Sequence, residues 1–351
     1  FDIDQDGDLD LFILGRRGGH PETHAMYRND GSGNFTRIST GIENATAYVG
    51  FLFTDFNGDG FLDVFLFSPG ILVFQGLPHS QFQDVTAKVL PTSYRGYFNG
   101  AVAFDADNDG DFDVYLSGGY RDKSKLIPGS DVFLENRGGF FVDISRSAKA
   151  LRGGGRAGIT AADFDNDGFV DLFLPSVGSG SQRIPDFILW NLGNMTFGSY
   201  TNHGANSPLA LDITYPSGAQ AFDYDRDGLV DVIVGTRYRN ESTPLFYTGN
   251  LRLFKNVLET KNSYLIIKVP PSIQNKSTMD ALLAVTTNTG TFYRRVGSVG
   301  ESRTQSFIDQ VHFGLGLATS VENITLALLD GTMFVLNSSR STTLNQMIVF
   351  F

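Results

Sequence analysis

Short apolar runs alternate along this chain with clusters of Asp, Asn and Gly. AVAF at 101–104 precedes one cluster and VYLSGG at 114–119 follows it; AQAF at 219–222 and VIVGT at 232–236 flank another. The runs are rich in β-branched and aromatic residues and end in Gly or Ser. That pattern predicts strands, and it leaves the acidic clusters as the loops between them.

The clusters repeat. DIDQDGDLD at 2–10, DFNGDGFLD at 55–63, DADNDGDFD at 105–113, DFDNDGFVD at 163–171 and DYDRDGLVD at 223–231 all fit D-x-[DN]-x-D-G-x-x-D. Their first Asp residues lie 53, 50, 58 and 60 residues apart, a period that belongs to a repeat architecture. Gly50, Gly100, Gly158 and Gly218 each stand five residues before the first Asp of the second to fifth copies. After each of the first four loops comes an apolar strand and then a pair of strands about a turn: MYRNDGSGNFTRIS, LVFQGLPHSQFQDVT, VFLENRGGFFVDIS and FILWNLGNMTFGSY. Four strands in each unit of 50–60 residues predict a propeller blade.

Loop positions 1, 3, 5 and 9 offer oxygen only, position 6 is a glycine that permits a sharp turn, and position 7 can add a backbone carbonyl. Such a set suits a hard cation, Ca²⁺, rather than Zn²⁺, which prefers nitrogen and sulfur. An Asp-rich solvated turn is the bland alternative for one copy, and five copies that keep position 9 argue against it. An EF-hand needs a Glu at position 12 and flanking helices; position 12 here is Ile13, Leu66, Leu116, Leu174 and Val234. Paired acid/base carboxylates of a glycosidase are the catalytic alternative, and their fivefold repetition argues against a singular active site.

The Gly-led strand, the loop and the text that follows resemble the FG-GAP/VCBS repeats of integrin-α-type β-propellers over residues 1–257. The resemblance implies Ca²⁺ held at about five sites by Asp2, Asp4, Asp6 and Asp10; Asp55, Asn57, Asp59 and Asp63; Asp105, Asp107, Asp109 and Asp113; Asp163, Asp165, Asp167 and Asp171; and Asp223, Asp225, Asp227 and Asp231. Asn57 is neutral, so the second site is expected to be the weaker. The remainder, 258–351, lacks the loop. It holds SYLIIKV, ALLAVTTNTGTFYRRV and ENITLALLDGTMFVLNSS, where NTG and DG between alternating apolar runs signal hairpins. RRVGSVGESRTQSFIDQVHFGLG and LALLDGT resemble the ASPIC/UnbV domain that follows such propellers in cartilage-acidic-protein-like secreted proteins. The expected fold is therefore an all-β propeller, with room for further blades upstream, and a C-terminal β-sandwich-like domain.

Net charge is −11, yet 19 of the 38 acidic residues are Asp at loop ligand positions, and the rest of the chain carries 27 basic residues. The acidity belongs to the sites, and nothing points to nucleic acid. Forty-one per cent of residues are hydrophobic, including 31 Phe, but no apolar run is long enough to span a membrane. There is no cysteine, hence no disulfide framework. Seven N-x-[ST] sequons, at Asn34, Asn44, Asn194, Asn240, Asn275, Asn323 and Asn337, favour an extracellular or cell-surface glycoprotein, and Asn34 and Asn194 fall at expected hairpin tips.

The histidines are His20, His24, His79, His203 and His312. HPETH at 20–24 has the spacing of a zinc pair, but Pro21 argues against the helix it needs. His312 is read as structural, Arg16–Arg17 and Arg294–Arg295 as solvated surface, and Phe51, Phe53, Phe56, Phe61, Phe65 and Phe67 as blade core. No motif for an enzyme is present. The reading is a Ca²⁺-stabilised extracellular glycoprotein, not an enzyme, serving adhesion or structure, with other extracellular proteins, glycans or copies of itself as partners. A polysaccharide-binding or polysaccharide-active propeller is the alternative. The first repeat lacks the Gly-led strand, an edge that upstream residues, the C-terminal domain or a neighbouring chain is expected to cover. The apolar tail NQMIVFF at 345–351 suits that task and would make the chain a subunit of a polymer.

Overall fold

The computed structural model describes residues 1–15, 24–45, 48, 50–122, 127–128, 130–150, 158–176, 185–206, 213–239, 246–297, 300, 308–337 and 343–350. The chain is all-β and consists of many small sheets. Each repeat forms its own antiparallel sheet, with strands in sequence order. The first has Leu11–Ile13, Ala25–Asn29 and Phe35–Ile38. The second has Gly50–Thr54, Asp63–Phe67, Ile71–Leu77 and Gln81–Asp84. The third has Phe98–Phe104, Asp113–Gly118, Val132–Asn136 and Phe141–Asp143. The fourth has Thr160–Ala162, Asp171–Leu174, Phe187–Asn191 and Phe197–Tyr200. The fifth has Ile213–Phe222, Asp231–Arg239 and Phe246–Phe254. As expected, the first sheet lacks the inner strand that the other four have.

In repeats two to five the loop spans a register pair. Thr54 faces Asp63, Phe104 faces Asp113, Ala162 faces Asp171 and Phe222 faces Asp231. The loop is therefore the connection between the first and second strands, with its ninth residue already in the ladder.

The second strands of repeats two to four read as unbroken apolar runs because both their faces are covered. Along Asp63–Phe67, Val64 and Leu66 enter the core shared with the first sheet, whereas Phe65 and Phe67 enter the core shared with the third. Val114 and Leu116 face the second sheet while Tyr115 faces the fourth. Leu172 and Leu174 face the third sheet and Phe173 the fifth. Successive sheets thus stack face to face, sharing one core per junction. Phe53, Phe56, Phe65 and Phe67 lie in these cores as expected; Phe51 and Phe61 are half-buried.

Within 264–349 the described residues form a short hairpin of Ser272–Ile273 with Lys276–Ser277 and two facing sheets. One orders Gln310–Gly314, Tyr264–Lys268 and Gln346–Val349; the other orders Thr291–Arg295, Leu282–Thr287, Val321–Ala327 and Met333–Asn337. Leu265, Ile267, Val311 and Phe313 from the first meet Leu283, Val285, Ile324 and Leu326 from the second in one core, the layering of a sandwich. The tail departs from expectation. Gln346–Val349 pairs in parallel with Tyr264–Lys268, and Phe350 is buried in the same core, so these residues are already a strand of the sandwich, at the edge of its three-stranded sheet.

The sandwich lies against the acidic loops. A Cβ on Gly60 would stand 2.4 Å from the Leu329 carbonyl oxygen, one on Gly168 would strike the Phe292 ring, one on Gly228 the Tyr264 ring, and one on Gly110 would reach Tyr293 at 3.7 Å. The glycine at position 6 thus serves close approach as well as turn geometry. Arg294 and Arg295 are a correction to the surface reading. They are 8% and 4% exposed, because the strand that carries them is pressed between its own sandwich and the repeats.

Replacing Phe65 by Ala is expected to cost about 3–5 kcal/mol, since the ring is fully enclosed. Phe61→Ala is expected to cost less than half of that, as read from denaturation midpoints of the two variants.

Candidate metal centres

All five loops share one hydrogen-bond scheme. The position 1 carboxylate accepts the backbone N–H of position 5 on one oxygen and that of the position 6 glycine on the other: Asp6 and Gly7 donate to Asp2, Asp59 and Gly60 to Asp55, Asp109 and Gly110 to Asp105, Asp167 and Gly168 to Asp163, and Asp227 and Gly228 to Asp223. The position 5 carboxylate accepts the N–H of position 7, from Asp8, Phe61, Asp111, Phe169 and Leu229 in turn. The scheme needs left-handed backbone at two places. Position 6 is Gly throughout, with φ between 87° and 100°. Position 4 is Gln5, Gly58, Asn108, Asn166 and Arg226, with φ between 60° and 68°, a region that Gly and Asn enter cheaply and the others do not.

Position 9 does more than close a ligand shell. One oxygen accepts the N–H of position 2 (Ile3, Phe56, Ala106, Phe164, Tyr224), and the other accepts an N–H from the third strand or its end (Asn29, Gly76, Asn136, Asn191, Asn256). Asp10, Asp63, Asp113, Asp171 and Asp231 therefore bind each loop to its sheet, and all are buried.

Two sets of side chains link neighbouring loops. Asn136 Nδ2 donates to Phe56 O at 2.7 Å, Asn191 to Ala106 O at 2.8 Å and Asn256 to Phe164 O at 2.8 Å, each reaching the preceding repeat. The same amides also donate to their own position 8 carbonyls, as Asn29 does to Leu9 O. At position 4, Gln5 donates to Gly60 O, Asn108 to Gly168 O and Asn166 to Gly228 O, each reaching the following repeat. The sequence reading missed both sets. A signal existed, an Asn ending the third strand in MYRN, FLEN, LWN and FKN.

In four loops, three carboxylates each place an oxygen within 4.8 Å of the others: Asp2, Asp4 and Asp6; Asp105, Asp107 and Asp113; Asp163, Asp165 and Asp171; Asp223, Asp225 and Asp231. These oxygen-only sets fit a hard cation. Asp10, Asp109, Asp167 and Asp227 stand outside their loops' trios. The second loop, with Asn57, forms no such trio among the described residues; Asn57 and Gln75 both donate to Asp59 instead. The residue before the linking Asn sets the local charge: Lys255 pairs with Asp225 and, at 3.0 Å, with Asp227, whereas Glu135 adds a negative charge beside Asp107.

Burial is the main cause that pushes these carboxylates up, and neighbouring carboxylates add to it. Asp10 rises to about 6, Asp63 to about 8 and Asp105 to about 7, while Asp113 and Asp171 rise well above the usual range. Arg294 supplies part of the countercharge at Asp105, and a bound cation would supply it to the set.

Of the other candidates, His20, Pro21, Arg16, Arg17 and Asn240 lie outside the described residues. No histidine joins a carboxylate group among the described residues. His24 is buried and accepts the Gly15 N–H. His203 contacts Asp186 O at 2.9 Å and His312 contacts Gly228 O at 3.1 Å. Asn34, Asn194 and Asn275 are exposed at turns, as a glycan requires. Asn323 sits on an internal strand with its amide oxygen buried, a poor place for an oligosaccharide. A cavity of about 410 Å³ opens between repeats three to five and the sandwich, lined by Asp105, Asp163, Gln220, Tyr224, Arg294 and His312 among others.

The profile of the FG-GAP-like repeat matches residues 2–66 and 55–116, so this repeat occurs twice in the chain. No characterised protein matches the chain by sequence. Among solved structures the chain is similar to the V. cholerae biofilm matrix protein Bap1, at 12% identity and a TM-score of 0.35. That match covers 98% of this chain and 48% of the other, so the chain spans about half the length of that protein.

Asn191→Ala would strip the buried Ala106 and Val170 carbonyls of a donor, and a loss of about 1–3 kcal/mol is expected in denaturation. pH gives a second test. A carboxyl such as Asp63, held at about 8 when folded, binds its proton in the folded state over a range where the unfolded chain has released it. Metal-free protein is therefore expected to lose stability as pH rises from about 4 to about 8. Melting temperatures across that range in chelator check the slope.

Proposed function

We propose that the chain is a Ca²⁺-stabilised extracellular protein with a non-catalytic adhesive or structural role. In this reading its five sheets are propeller blades over residues 1–257, and residues 258–351 are an ASPIC/UnbV-like β domain seated on the loops. The observation that carries it is the five-times-repeated loop scheme, with oxygen-only trios in four copies, each with at least one buried carboxylate. Repetition of one site suits a staple, while catalysis needs one distinctive site. Rigid Ca²⁺ loops and exposed sequons both fit a compartment where Ca²⁺ is abundant, and bound Ca²⁺ serves where disulfides are absent. Other extracellular proteins, glycans or copies of the chain are the partners this role calls for, up to a polymer.

The cavity of about 410 Å³ favours a second reading, a polysaccharide-binding protein. Its size is that of a small-molecule site, and aromatic, amide and charged side chains converge on it.

The main reading is tested by thermal unfolding. Chelator is expected to lower the melting temperature, and Ca²⁺ to restore it more fully than Mg²⁺. A melting temperature indifferent to both ions overturns it. Binding of neutral and acidic oligosaccharides, followed by calorimetry, decides the second.

A further inference from the structure

Arg294 reaches into the fourth loop. Its Nη2 stands 3.7 Å from Asp163 Oδ2 and donates to Gly168 O at 3.2 Å, while Nη1 donates to Tyr293 O at 2.9 Å. The guanidinium stacks 5.5 Å from the centre of the Phe313 ring. Asp105 of the third loop and Asp167 and Asp171 of the fourth lie within its electrostatic reach. Next to it, Arg295 turns to the opposite side of the strand, where it pairs with Asp280 and donates to Phe53 O.

The fourth loop is also the most enclosed by the sandwich. A Cβ on Gly314 would collide with Asp163 Oδ2 and Asn166, Gly316 N donates to Asn166 O at 2.8 Å, and Asn262 Nδ2 donates to Asp165 O at 2.9 Å. The cations near the fifth and first loops differ in kind, and the buried Arg295 is paired with Asp280 rather than with a loop carboxylate. Lys255 and Arg28 sit at solvent-exposed edges of the fifth and first, free to swing into water when a metal enters. Arg294, 8% exposed and held by two carbonyls, is not.

We propose that Arg294 is a built-in counter-ion of the fourth loop, which competes with Ca²⁺ there and couples metal loading to the seating of the C-terminal sandwich. The proposal rests on the Ca²⁺ reading above. Without metal, the guanidinium offsets the repulsion among Asp163, Asp165 and Asp171, and those carboxylates in turn compensate a charge that is costly to bury alone. A divalent ion in the trio places like charges a few ångströms apart in a poorly screened site. Whatever Arg294 contributes to docking is then weakened by the metal, and docking weakens the metal in the same measure, because linkage is reciprocal. The sandwich thereby sets the fourth loop's affinity below that expected from its ligand set.

The test is Ca²⁺ titration by calorimetry of the full chain, comparing wild type, Arg294→Gln and Arg294→Lys, with hydrogen exchange of residues 291–295. Arg294→Gln is expected to raise the affinity of at least one site by about tenfold or more, and Arg294→Lys to leave it near the wild-type value. In the wild type, Ca²⁺ is expected to quicken exchange at 291–295, a readout that needs no variant. Unchanged or weakened affinity in Arg294→Gln, or slower exchange at 291–295 on loading, overturns the proposal while Ca²⁺ binding itself persists. A wild type that binds no Ca²⁺ instead overturns the reading on which it rests.

Discussion

The ninth carboxylate of each loop holds two backbone N–H groups from different segments, one inside the loop and one from the third strand or its end. Everything else in a repeat follows from that double acceptance. It closes the loop, fixes the third strand against the second, and puts a carboxyl where little water reaches. In the third, fourth and fifth loops that carboxyl also lies within 4.8 Å of those at positions 1 and 3, so burial and neighbouring charge act on one group. Fold and site are one construction here, since the group that staples the sheet also belongs to an oxygen set that suits a cation.

The loops compose a face, and the sandwich covers it. Docking uses the glycines at position 6, whose missing side chains let Phe292, Tyr264 and the Leu329 carbonyl come close. A residue type required for turn conformation is thus reused for contact. The two arginines at the end of Thr291–Arg295 show the same economy of means: strand alternation sends one guanidinium toward the third and fourth loops and the other toward Asp280 and the second repeat.

Much of this was legible in the sequence. Five copies of one nonapeptide identify the loops, and unbroken apolar runs beside them identify strands covered on both faces. The count of four strands was legible for the second to fourth repeats, as was the short first sheet, whereas the fifth sheet has three strands among the described residues. The partnerships were not. Arg294 and Arg295 read as surface because local sequence reports charge, whereas burial is decided by an element that packs from over a hundred residues away. NQMIVFF read as a free edge-seeker because its partner, Tyr264–Lys268, is a parallel strand remote in sequence. The left-handed backbone at position 4 was hidden because Gln5 and Arg226 share that conformation with residues that favour it.

The links between repeats are unevenly distributed. The third and fourth repeats are joined by both kinds of amide bridge, through Asn108 and Asn191, and the fourth and fifth by Asn166 and Asn256. The second and third share only that of Asn136, because position 4 of the second loop is Gly58. Of these two kinds the first and second share that of Gln5, Gly76 standing where the linking Asn would be, and Gln81 Nε2 adds a bond to Ser39 O. Counted by these two kinds of bridge, the third to fifth repeats form the more tightly coupled block, and the junctions before them part more easily.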